Sequence, residues 1–245
     1  MAPNDLETRA EAASPPPPPG EPGAALDHLL GFANSARALE FAAYHKTPRR
    51  YLGLAGPDLD AAVAGWRATL DPPARLTLAA HFWDSDIHEA RIAAAKLLTQ
   101  ARLGAHDGLV WAEFLRWLPD FDALAIADQA CKAAERRLAA DPGRLDVVET
   151  WLTHANPWIR RAALMASLPW TRQNHPDAHE AAIRDRLLGW AARLAPDRDW
   201  FVQKALGLWL GTLAIHDPDR VRAFLDGPGK RLRPATRREA ARRLA

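Results

Sequence analysis

Val202-Gln203-Lys204-Ala205-Leu206-Gly207-Leu208 carries a pattern that the chain uses three times. Ile159-Arg160-Arg161-Ala162-Ala163-Leu164-Met165 has it, and so does Glu89-Ala90-Arg91-Ile92-Ala93-Ala94-Ala95. In each, a helical start and a cation are followed by small and apolar residues at helical spacing. Arg91, Arg161 and Lys204 stand at the same place in the pattern. The last two are 43 residues apart, within the roughly 40–47 expected of helix-pair repeats of the HEAT type. The first interval is 70 residues, room for one degenerate unit, and residues 120–139 fill it with another helical stretch. Stacked helix pairs of this kind form a curved solenoid with one concave face. The expected fold is therefore all-α, a HEAT-like helical-repeat solenoid (an α-α superhelix) whose concave groove is basic.

Working outward, the chain reads as helix from about Ala24 to its end. Alanine, leucine and arginine dominate, and alternating β-branched runs are almost absent. Asp71-Pro72-Pro73, Asp141-Pro142, Asn156-Pro157, Asp217-Pro218 and Gly227-Pro228 mark boundaries between helices. Residues 1–23 are expected to be a disordered tail. Their run Ser14-Pro15-Pro16-Pro17-Pro18-Pro19-Gly20 suits extended polyproline and the work of a spacer, with an SH3-type ligand as the other use. Residues 24–245 are expected to form one repeat domain.

Composition removes several function classes. One cysteine, Cys131, in 245 residues leaves no disulfide framework within the chain and argues against a cysteine-based zinc site. No Walker A loop, Gly-rich dinucleotide fingerprint or nucleophile elbow occurs. His81 and His88, or His154 and His175, lack a third ligand at useful spacing, so neither metal nor cofactor is expected. No apolar run reaches the roughly 20 residues that span a bilayer, and the polar start lacks the apolar core of a secretory signal. The expectation is a cytoplasmic, monomeric protein that does not enter membranes.

The net charge is only +2, so placement matters more than total. Taken singly, Arg91, Arg161 and Lys204 are ordinary solvated helix charges. Taken in register, they line one groove, as a phosphate backbone requires. Lys230, Arg231, Arg233, Arg237, Arg238, Arg242 and Arg243 crowd the C-terminus with Glu239 as their only acid. The helical pattern from Thr236 to Leu244 gives them one basic face.

Several segments resemble the DNA alkylation repair enzymes of the AlkD type, in order over about residues 37–244. Tyr51-Leu52-Gly53-Leu54-Ala55-Gly56-Pro57 is similar to that family's early turn. Trp83-Asp84 with His88-Glu89-Ala90-Arg91 resembles its second-repeat signature. Asn156-Pro157-Trp158-Ile159-Arg160-Arg161-Ala162-Ala163 resembles its Trp-x-x-Arg-Ala-Ala segment. Asp199-Trp200-Phe201-Val202-Gln203-Lys204-Ala205-Leu206-Gly207 is similar to its Gln-Lys-Ala stretch, and Arg237-Arg238-Glu239-Ala240 to its closing basic motif.

The resemblance implies a HEAT-like stack cradling duplex DNA with alkylated bases. It implies a DNA glycosylase, a hydrolase of base excision repair, that cleaves the N-glycosidic bond of cationic N3- or N7-alkylated purines. The family's aspartate falls on Asp128, with Asp122 as the fallback. DNA contact is implied for Arg91, Arg161, Lys204, Arg237 and Arg238. Two aromatic positions depart from the family: Leu124 and Leu208 stand where it has tryptophan. A ring against the lesion would then come from Trp158, Trp200 or Trp209, or from Phe121. Asp60 stands where many members are basic. Two other readings remain open at this point: a non-catalytic repeat protein that recognises distorted or branched DNA, and a protein-interaction scaffold.

Overall fold

The computed structural model describes residues 20–244. They form thirteen α-helices and no strand, apart from one isolated bridge between Arg50 and Ile87. In chain order the helices are α1 (Pro22–Leu30), α2 (Ser35–His45), α3 (Gly56–Thr69), α4 (Pro72–Asp84) and α5 (His88–Leu97), then α6 (Asp107–Trp117), α7 (Leu124–Ala140), α8 (Leu145–Thr150) and α9 (Pro157–Ala166). α10 (Ala178–Leu194), α11 (Trp200–His216), α12 (Pro218–Asp226) and α13 (Pro234–Ala241) complete the set. The fold is the expected all-α helical repeat. Nearly all of the expected tail lies outside the described residues. Its last two residues, Pro22 and Gly23, already belong to α1, because a proline in the first turn sacrifices no intrahelical hydrogen bond.

Proline does the same at the start of α3, α4, α9, α12 and α13. Asp71, Asn156 and Asp217 cap the helices that follow them by accepting a backbone N–H, as short polar side chains do. Asp141-Pro142 and Gly227-Pro228 behave differently: each opens a single 3-10 turn between helices.

Helices α3, α5, α7, α9, α11 and α13 pack directly on one another as one row, while α4, α6, α8, α10 and α12 form a second row whose members touch each other sparingly. The first row is built from small buried residues, Ala90, Ala93 and Ala94 on α5, Ala127, Ala130 and Ala134 on α7, Ala162, Ala163 and Ala166 on α9. On α11, a Cβ at Gly207 would lie 3.3 Å from the Glu239 side chain of α13. Trp66, Trp83, Trp117, Trp190 and Trp209 are fully buried. Small residues draw the first row together, while Trp83, Trp117 and Trp190 bulk out α4, α6 and α10 of the second. The stack therefore curves with the first row inside.

Charged ties fasten each repeat to the next, many of them 37 residues apart. Arg49 pairs with Asp86 at 2.7 Å, Arg144 with Asp107 at 2.6 Å, Arg160 with Asp197 at 2.7 Å and Arg186 with Glu149 at 2.6 Å. Every arginine of α6, α10 and α12 is held by a carboxylate: Arg116, Arg184, Arg186, Arg193, Arg220 and Arg222.

Candidate nucleic-acid interface

The helix caps set the register of the inner row. Asp128, Arg161, Lys204 and Arg238 each stand five residues after the N-cap of their helix, Ala123, Asn156, Asp199 and Arg233 respectively. Arg91 stands four after its N-cap, Ile87. Its partner shows the same shift: Arg91 Nε donates to the Trp83 carbonyl eight residues back, as Gln203 Nε2 donates to Ala195 eight residues back. Arg91 is thus the counterpart of Gln203, and the expected alignment of Arg91 with Lys204 is corrected by one position. One position turns a side chain by about 100°. Arg91 is 6% exposed, stacks on the Trp83 ring at 4.8 Å and pairs with Asp86 at 3.1 Å. It ties repeats together and does not reach the groove.

The remaining members of the register converge. A depression of about 510 Å³ on the inner face is lined by Leu124 and Asp128 of α7, Arg161 of α9, Trp200, Lys204 and Leu208 of α11, and Arg233 with Glu239 at α13. The Asp128 carboxylate lies in its wall, 30% exposed. Arg161 grips that carboxylate with Nε and Nη2, both at 2.8 Å, and its Nη1 donates to the Phe201 carbonyl at 2.7 Å. Three donors of one guanidinium therefore join α7, α9 and the start of α11, and they fix the carboxylate in a bidentate geometry. At 2% exposure Arg161 is spent on this task, where the sequence suggested a phosphate contact. Lys132, a turn beyond Asp128, bonds Gln129 instead.

Lys204 is exposed, with Nζ 4.8 Å from the Trp200 ring centroid. Trp200 is 55% exposed, and the Asp199 cap sets it at the mouth of the depression by accepting from Phe201 N and Val202 N. Arg238 is exposed, while Arg237 donates to the Leu225 carbonyl. Trp158 is half-buried and packs on Phe201 at 4.2 Å, outside the lining. Trp209 is fully buried, its Nε1 on Ser167 Oγ at 3.1 Å. Phe121 is buried as well. Trp200 is thus the one ring of the four that opens on the depression. Asp122, the fallback, takes a bidentate bond from Arg49 at 2.9 and 3.2 Å and belongs to the repeat ties.

Arg233 was not singled out by the sequence as part of a pocket. Its backbone N–H donates to Gln203 Oε1 at 3.1 Å and its guanidinium to the Arg198 carbonyl. The signal was Pro234 behind it, which marks Arg233 as an N-cap in register with Asp199. Cys131, one turn from Asp128, is buried, and burial pushes its thiol well above the ordinary range. It is a packing residue. Among the described residues no group of three or more metal-ligating side chains comes together, and no helix is long and apolar enough to cross a membrane.

The family described as DNA alkylation repair enzyme matches residues 25–244. The chain belongs to this family. Solved structures carry the same fold. An Enterococcus faecalis protein described as a predicted DNA alkylation repair enzyme superposes with a TM-score of 0.69 at 19% identity, over 87% of this chain and 97% of that one. A Streptococcus mutans protein, smu.31, gives 0.57 at 17% identity, over 76% and 90%. No curated protein matches. Membership gives this DNA alkylation repair protein a role in DNA repair, with DNA as the partner it points to. In it, Leu124 and Leu208 contribute apolar surface to the lining of the inner depression.

Proposed function

We propose that this DNA alkylation repair protein is a monofunctional glycosylase acting on cationic N3- and N7-alkylated purines in duplex DNA. The observation that carries the reading is the Asp128 carboxylate, clamped by Arg161 in the wall of a depression whose rim bears Trp200 and Lys204. An alkylated purine is positively charged and leaves with the electron pair of its bond to C1′. The sugar becomes cationic as that bond breaks. A carboxylate facing C1′ stabilises the developing charge and orients the water that adds there and gives up its proton. Arg161 is a positioning residue, since it touches Asp128 and not the strand. A phosphate that draws Lys204 away opens the Trp200 ring to the charged base, an attraction of about 0.5–2 kcal/mol. One chain supplies the whole depression, so a monomer suffices.

A charge pair at about 4 Å and an effective dielectric constant near 20 is worth ~4 kcal/mol. Arg161 already neutralises part of Asp128, so about 3 kcal/mol is the share available, roughly 100-fold in rate. Release of 7-methylguanine from a methylated duplex should therefore fall about 100-fold in Asp128→Asn, with duplex affinity retained. Unchanged release in the variant sinks the role given to Asp128. No release by the wild-type protein sinks the glycosylase.

Leu124 and Leu208 favour one other reading. On that reading, the protein has no ring at these two positions to grip a lesion and serves as a non-catalytic sensor of distorted DNA. That reading predicts salt-sensitive binding with no base release.

A further inference from the structure

The inner row carries a second depression, of about 570 Å³, which meets the first at α7. Arg67 of α3, Lys96 of α5, Lys132 and Arg136 of α7, and Arg172 line it, against two acids, Asp60 and Glu135. Lys96 pairs with Asp60, and Arg172 with Glu135 at 3.3 Å. The other three cations make no ion pair among the described residues, although the Glu135 charge also acts on Lys132 and Arg136. Arg67 Nη1 reaches only Thr99 Oγ1, at 3.4 Å, and Lys132 Nζ reaches Gln129 Oε1, at 3.1 Å. Arg136 is exposed, with no side-chain partner among the described residues. On α6, α10 and α12 of the outer row, by contrast, every arginine has its carboxylate. Arg75 of α4 bonds the Leu70 carbonyl and Gln100 instead, so what sets this depression apart is density, five cations against two acids.

We propose that this depression is a second phosphate-binding subsite, and that it holds the strand opposite the one at Asp128. The inference rests on the DNA-groove reading above and adds a place for the other strand. Lys204 lies near the start of α11 and Arg233 at the start of α13, the neighbouring inner helix, so a strand touching both runs across the helix axes. Lys132 and Arg136 lie four and eight residues past Asp128 on the same face of α7. That displacement runs along the helix axis, about 6 and 12 Å. It is therefore transverse to the first strand, on the scale of a minor groove about 6 Å wide. Cations on α3 and α7 then grip the second backbone from two sides.

The test is fluorescence anisotropy with a labelled 16-base-pair duplex and with its single labelled strand, in roughly 0.1 M salt. Lys132→Ala/Arg136→Ala should weaken duplex binding about tenfold and leave single-strand binding within about twofold. Arg67→Ala, on a different helix, should discriminate in the same direction, whereas Lys204→Ala should weaken both. Unchanged duplex affinity in the double variant and in Arg67→Ala overturns the subsite. So does an equal loss on duplex and single strand, which would place these cations on the first strand. If the wild-type protein binds neither DNA, the groove reading itself has failed. If it binds the duplex and only these variants are silent, the subsite alone is wrong.

Discussion

At the scale of single residues, the chain sorts its cations by what they face. Arg91 and Arg161 carry the pattern that suggested phosphate contact, yet both are buried and paired. A long polar side chain on an interior face stays only if its donors are filled, and here carbonyls and carboxylates fill them. Lys204 and Arg238 sit one residue past the less exposed Gln203 and Arg237 and are exposed. His88 shows the same cost without a partner. It is 2% exposed, its Nδ1 has no hydrogen bond, and it lies against His45 and Tyr51 with ring centroids at 4.3 and 4.9 Å. Burial first, then the nearby His45 and Arg49, push its pKa down from 6.5 to about 3. The unfolded chain binds this proton more readily than the folded one. Stability from His88 is therefore full above about pH 6.5 and drains as pH falls toward 3. Between pH 7 and 5.5 the loss should be about 1 kcal/mol. Urea denaturation at the two pH values checks it: His88→Gln should flatten that dependence, and an unchanged slope would clear His88.

Between elements, one turn joins the first repeat to the second. Glu89, buried at the start of α5, accepts from the backbone N–H groups of Leu52, Gly53 and Leu54 at 3.0, 2.7 and 3.3 Å. Gly53 has φ +72, and an added Cβ would meet the Asn34 carbonyl oxygen at 2.3 Å and Ala38 N at 2.5 Å. Only glycine tolerates both the left-handed backbone and the approach of α2. Gly53→Ala should cost about 2–4 kcal/mol, the sum of the αL penalty and overpacking against backbone. Thermal unfolding reads this directly, and a loss below about 0.5 kcal/mol would show that α2 moves aside freely. This glycine was visible in the sequence as part of the early turn. Its partner Glu89 reads in the sequence only as a helix-start residue, because nothing local links positions 36 residues apart.

For the whole molecule, the net charge of +2 conceals an asymmetry. Carboxylates hold the arginines of α6, α10 and α12, while among the described residues Arg67, Lys132, Arg136, Lys204, Arg233 and Arg238 of the inner face make no ion pair. If all six meet phosphates, log affinity for duplex DNA should fall against log salt with a slope of about −5, at roughly 0.9 per contact. A titration of binding between 50 and 200 mM salt measures it. A slope near −1 would mean that most of these cations never touch the backbone.

Periodic alanines, proline punctuation and the recurring cation are local signals, and each survives without knowledge of neighbours. They sufficed for an all-α repeat and for most helix starts, whereas Asp128 was singled out only through the resemblance to the family. Tertiary structure alone decided which cations remain available, that Trp209 is core while Trp200 faces the groove, and that Arg161 clamps the carboxylate. The physical reason is angular. A single step along a helix separates interior from groove, and that angle depends on where packing sets each N-cap.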